Sequence, residues 1–160
     1  MKNSRSLILA VVLFCALQPF YAVSLAFGAS GVDTSLLNVC SMFSVAELET
    51  VMGLPMSKSI KPRPVISVGE ERGCIFYDAK GHFYEVTFHP LHQWSIISNI
   101  TPKSKQLPGV GDGAYLDVKS DAIEMTVLIK DKAVIEVRIS EKNQRQKAME
   151  LYELARKKLP

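Results

Sequence analysis

The residues able to do chemistry are few. All three histidines fall close together, at His82, His89 and His92. Neutral imidazole is a common metal ligand, which makes a metal site conceivable. The strand expected over 82–89, however, gives His82 and His89 opposite parity and sends them to opposite faces. No carboxylate or cysteine completes an obvious ligand set, so the expectation is ordinary surface histidines and no cofactor. Glu85, Glu124 and Glu136 fall on polar strand faces, where a general acid/base pair is possible in principle. Their neighbours are Thr, Lys and Arg, which reads as a solvated face. No G-x-S-x-G elbow is present to raise a nucleophilic serine. The run Pro108-Gly-Val-Gly-Asp-Gly113 is glycine-rich but leads into a strand, whereas phosphate-cradling loops open a helix. It reads as a tight turn in which Asp112 bonds nearby backbone N–H groups, or as a loop whose glycines let a partner approach the backbone.

Binding is therefore the expected activity. The candidate contacts are Trp94, Gly109, Gly111 and Asp112 in the irregular stretch 90–112, with Glu85 and Arg138 on the polar face of the sheet. The rival readings are an envelope hydrolase using strand-face carboxylates or the histidines, and a carrier of a small ligand or metal. The last helix is basic at Arg145, Lys147, Arg156, Lys157 and Lys158, but Glu150 and Glu153 interleave, which is how a solvated face reads.

The N-terminus gives an address. Lys2 and Arg5 precede an unbroken apolar run, Leu7–Leu17, of the length of a signal-peptide core. Ser24-Leu25-Ala26 supplies small residues at −3 and −1, giving a mature start at Phe27. The alternative is an uncleaved anchor over Leu7–Phe27, long enough to cross a bilayer, although Gln18 and Pro19 interrupt it. Neither Cys15, after Phe14, nor Cys40, after Val39, sits where a lipid-modified cysteine belongs.

Export changes the reading of the cysteines. Cys15 leaves with the signal, and Cys40 and Cys74 remain as the one possible intramolecular pair. A structural disulfide is the default in an oxidising compartment. A redox pair or soft-metal site is the alternative, although redox pairs sit two residues apart. Charge excludes little else. Taking Lys2 and Arg5 from the 19 basic residues leaves 17 against 16 acidic ones. A mature balance of +1 gives no case for nucleic acid. With 160 residues, 48% of them hydrophobic and 22% charged, the chain suits one globular domain.

The elements that position the candidates follow from pattern. Ser44 and Glu47 make a capping box, Phe43 and Leu48 a hydrophobic staple, and Gly53 a C-terminal stop. Val65–Val68 reads as a short edge strand. Gly73–Asp78 and His82–His89 read as a hairpin turning at Lys80-Gly81. His92–Ile100 reads as a helical turn or two with Leu91, Trp94 and Ile97 on one side. Ala114–Val118, Ile123–Lys130 and Ala133–Ile139 alternate with period 2. A helix over 143–158 buries Ala148, Leu151, Ala155 and Leu159. The expected architecture is a two-layer α+β domain at 40–160. Its mainly antiparallel sheet is packed on one face by the N- and C-terminal helices and open on the other. It follows a signal peptide at 1–26 and a flexible lead-in at 27–39.

Cys40-Ser-Met-Phe-Ser-Val-Ala-Glu47 with Val51-Met-Gly53-Leu-Pro55, Gly73-Cys74-Ile-Phe-Tyr77, Pro108-Gly-Val-Gly-Asp-Gly-Ala-Tyr115 and Ala148–Leu159 together resemble a bacterial domain family of uncharacterised function. That family occurs in secreted and cell-envelope proteins, often lipoproteins. The resemblance covers about Cys40–Leu159. It implies an envelope location, a disulfide and no catalysis, with no ligand or catalytic residue to carry over. The missing lipid-attachment cysteine departs from many such proteins.

Overall fold

A computed structural model describes residues 31–66, 70–141 and 143–160. The expected signal segment and Val68 lie outside the described residues. Six strands form one antiparallel sheet: β1 Arg63–Ile66, β2 Arg72–Tyr77, β3 Phe83–His89, β4 Gly113–Val118, β5 Ile123–Ile129 and β6 Ala133–Ile139. Their spatial order is β1-β2-β3-β6-β5-β4. Two three-stranded units (β1–β2–β3 and β4–β5–β6) thus meet at the β3–β6 seam, where Val86 faces Val137 and Glu85 faces Arg138.

Period-2 alternation sorts the sheet. Cys74, Phe76, Tyr84, Val86, Phe88, Met125, Val127, Ile135, Val137 and Ile139 are all buried on the inner face. Helix α4, Arg145–Lys158, packs on that sheet through Ala148, Leu151, Tyr152 and Ala155. Leu159 joins the same core. Helix α2, Val45–Met52, begins with the expected capping box at Ser44 and Glu47 and ends at Gly53 in the left-handed conformation, φ 66°. Its Leu48 and Met52 enter the same buried cluster, and Phe43 meets the Phe76 ring edge-on at 5.7 Å.

Cys40 and Cys74 are bonded. Cys40 lies in α1, Val39–Met42, so the bond pins this turn to β2. A closed loop of 34 residues stabilises the fold by roughly 3–4 kcal/mol on the chain-entropy model.

Two expectations need correction. The described part of the lead-in is packed against the domain: Thr34–Leu36 forms a 3-10 turn, Thr34 and Val39 are buried, and the Thr34 hydroxyl donates to Glu70 O at 2.7 Å. The outer sheet face is also less open than alternation alone suggests. Thr87, His89, Tyr115, Thr126 and Val134 are buried there. Part of the cover is α3, Gln93–Ile100, because Trp94 and Gln93 fold back onto this end of the sheet. No helix among the described residues is long and apolar enough to cross a membrane.

Candidate binding cleft and outer sheet face

Four of the six expected contacts come together. Trp94, Gly109, Gly111 and Asp112 line one cleft of about 510 Å³, along with Lys103, Gln106 and Tyr115. The glycines explain its shape. Gly109 (φ 79°) and Gly111 (φ 56°) turn the chain in the left-handed region, which side chains with a Cβ rarely adopt. Gly111 also lies so close to Val127 and Leu128 that no Cβ fits. Asp112 acts as the turn residue it was expected to be: its carboxylate accepts from Lys130 N at 2.7 Å, and its N–H donates to Leu128 O. The opposite wall is aromatic. Trp94 lies 5.3 Å from Tyr115, ring centroid to ring centroid, and passes over Gly113, where a Cβ would come within 2.7 Å of Trp94 Cζ2.

The other two candidates sit on the sheet and not in the cleft. Glu85 and Arg138 are direct cross-strand partners on the outer face, and Arg138 also pairs in register with Glu124 on β5. The Arg138 guanidinium lies 5.2 Å over the Phe83 ring, a cation–π distance. Burial, and then the neighbouring Glu136, push the Glu85 carboxyl above its ordinary range, against the pull of Arg138. The next register row, Thr87–Glu136–Thr126–Tyr115, runs from this charged centre to the cleft wall.

Sequence reading missed the histidine environments. His89 is not a surface residue: it is 9% exposed. Its Nδ1 is 3.1 Å from Gln93 Oε1 and 3.6 Å from Glu71, while Nε2 is 3.3 Å from Glu136. His82 caps the β2–β3 turn, with Nδ1 2.9 Å from Asp78 and Nε2 3.3 Å from Glu141. His92 is exposed at the start of α3. Glu71, Glu136 and Glu141 come from segments distant in sequence. Only the four-residue spacings of Asp78 with His82 and of His89 with Gln93 were local clues. Among the described residues no group of three or more His, Cys, Asp or Glu is placed to hold a metal ion.

Compared with family models, curated proteins and solved structures, the chain finds no match.

Proposed function

We propose that the chain is an exported, non-catalytic binding domain of the bacterial cell envelope, of the kind its motifs resemble. It takes a partner protein or an envelope component against the cleft and the adjoining outer face. In this reading α2 and α4 together back the inner face and leave the outer one for contact. The carrying observation is the cleft itself, because Trp94, Gly109, Gly111 and Asp112 converge on it from two separate segments. A partly buried indole beside open glycine backbone offers apolar area and hydrogen-bonding groups at one place. The hydrolase alternative requires a concave site holding at least two of the histidines or strand carboxylates, and none of His82, His89, His92, Glu85, Glu124 or Glu136 lines this cleft.

Photo-crosslinking in the intact envelope tests the proposal. A photoreactive residue at Gln106, exposed on the cleft, is expected to give a discrete adduct. The same residue at Arg156, exposed on α4, is expected to give none. Equal labelling from both positions, or no adduct from Gln106, overturns it.

A further inference from the structure

We infer that His89 is a proton-operated latch that holds α3, and with it the Trp94 wall of the cleft, against the end of the sheet. The inference rests on the cleft reading only for its consequence.

The geometry carries it. Gln93 Nε2 donates to Glu71 Oε1 at 2.6 Å, which fixes the amide, since turning it over would set its oxygen against a carboxylate. Gln93 Oε1 therefore faces His89 Nδ1 at 3.1 Å. On the other side of the ring, Glu136 Oε2 faces Nε2 at 3.3 Å. Acceptors thus stand opposite both ring nitrogens. A neutral imidazole has a single N–H and would aim a lone pair at one of them; the imidazolium presents an N–H to each, with Glu136 meeting Nε2 at ion-pair distance and without a hydrogen bond. The charged ring also sits between two carboxylates, Glu71 from the segment entering β2 and Glu136 from β6.

The other groups around it fit. On its own strand, Glu85 lies four residues back on the same face, and Thr87 is between. On β6, Arg138 follows Glu136 and faces Glu85. Beside Glu71, Arg72 donates from Nη1 to Glu71 O at 2.7 Å. The nearest register positions on β6 and β5 are the uncharged Val134 and Leu128, and α3 presents Gln93. Burial opposes the charge on His89, but Glu136 and Glu71 outweigh it and raise its pKa above the usual 6.5. The latch is therefore fully closed below 6.5 and releases as pH rises through the raised value.

The mechanical link is short. Gln93 and Trp94 are consecutive in the first turn of α3, a helix with no buried residue of its own. Losing the proton weakens the His89 side of this anchor and leaves the Gln93–Glu71 bond and the Trp94–Tyr115 contact to hold the helix, so a proton on His89 sets how firmly one wall of the cleft stands.

Trp94 is the single tryptophan of the chain, so its emission reports on α3 without a label. With the full exported, disulfide-bonded protein and no ligand, the His89 ring resonances are followed by NMR from pH 5 to 9 alongside Trp94 emission. The expected result is a His89 midpoint above 6.5, a Trp94 transition at the same pH, and loss of that transition in His89→Gln. Glu136→Gln should move the wild-type midpoint down. A wild-type His89 midpoint at or below 6.5, a flat Trp94 signal, or a transition that survives His89→Gln overturns the latch. The wild-type readings stand even if a variant fails to fold. A latch found without any Gln106 adduct sinks the binding proposal alone, and an adduct without the transition sinks the latch alone.

Discussion

The hydroxyl of Tyr84 donates to the carboxylate of Asp78 at 2.9 Å, and both residues are wholly excluded from solvent. Asp78 sits where β2 turns toward β3, and the backbone N–H groups of Lys80 and His82 also donate to it, at 2.8 and 3.0 Å. A buried carboxylate is tolerated only when so surrounded. Burial pushes its pKa up, but the bonds from the His82 ring, Tyr84 and the backbone outweigh this and hold it below the usual value. Tyr84→Phe should cost about 1.5 kcal/mol in urea unfolding at pH 7, the worth of one bond to a charged acceptor. The stability that Asp78 contributes is present above the ordinary 3.8 and is lost as pH falls through the depressed value. The difference between variant and wild type should therefore shrink in strong acid. An undiminished difference there, or none at pH 7, contradicts this account.

A second acid-sensitive tie joins the two ends of the domain. Lys158 Nζ at the end of α4 reaches Glu47 Oε1 at 2.7 Å, while the other carboxylate oxygen of Glu47 accepts from Ser44 N. These bonds, that of Lys158 foremost, take the Glu47 carboxyl from 4.5 to about 2. Its contribution is complete above 4.5 and disappears as pH falls toward 2. Lys158→Gln should move that acid loss to higher pH, as followed by circular dichroism. Ser44→Ala removes the cap that accepts from Glu47 N and should cost about 1 kcal/mol at neutral pH.

What could be read from the chain is what forms locally. The Ser44–Glu47 box and the Gly53 stop lie within one short segment, and the turns at Gly81 and Lys132 join strands adjacent in sequence. The β3–β6 seam was not legible, because it pairs residues some fifty positions apart and nothing in either strand names its partner. Every feature that depends on that seam was hidden with it, including Glu136 beside His89 and Arg138 opposite Glu85. The cleft was half legible: glycines and a lone tryptophan in an irregular stretch marked it, but the place of Trp94 against Gly113 came only with the fold.

That contact makes Gly113 a direct probe of the wall. A Cβ there would lie 2.7 Å from Trp94 Cζ2 and 3.2 Å from Cη2, closer than carbon atoms pack. Gly113→Ala should displace the indole from Tyr115, shift its emission to the red, and cost roughly 1–3 kcal/mol, the usual range for overpacking. The Gln106 adduct should fall in parallel. Unchanged emission would mean that Trp94 does not rest on this strand.

Glu85 offers the opposite test, a residue whose charge costs stability. Its pKa is raised, by burial first and by Glu136 second, with Arg138 and the Thr87 hydroxyl pulling it back. For an acid, a folded value above the unfolded one means that ionisation favours the unfolded chain. The cost is absent below the ordinary 4.5, sets in as pH rises past it, and is complete above the folded value. Glu85→Gln keeps the shape and removes the charge, while Glu124 remains beside Arg138 in register. The variant should therefore melt higher than wild type at pH 7, by no more than about 2–4 °C, which corresponds to ~1 kcal/mol in a domain of this size. At pH 4 the two should melt alike. If Glu85 serves the outer face as a contact, the same substitution should weaken the Gln106 adduct while stabilising the fold, which separates a functional charge from a structural one. A lower melting temperature at pH 7 would instead make the Glu85–Arg138 pair a net support of the β3–β6 seam and remove it from the binding surface.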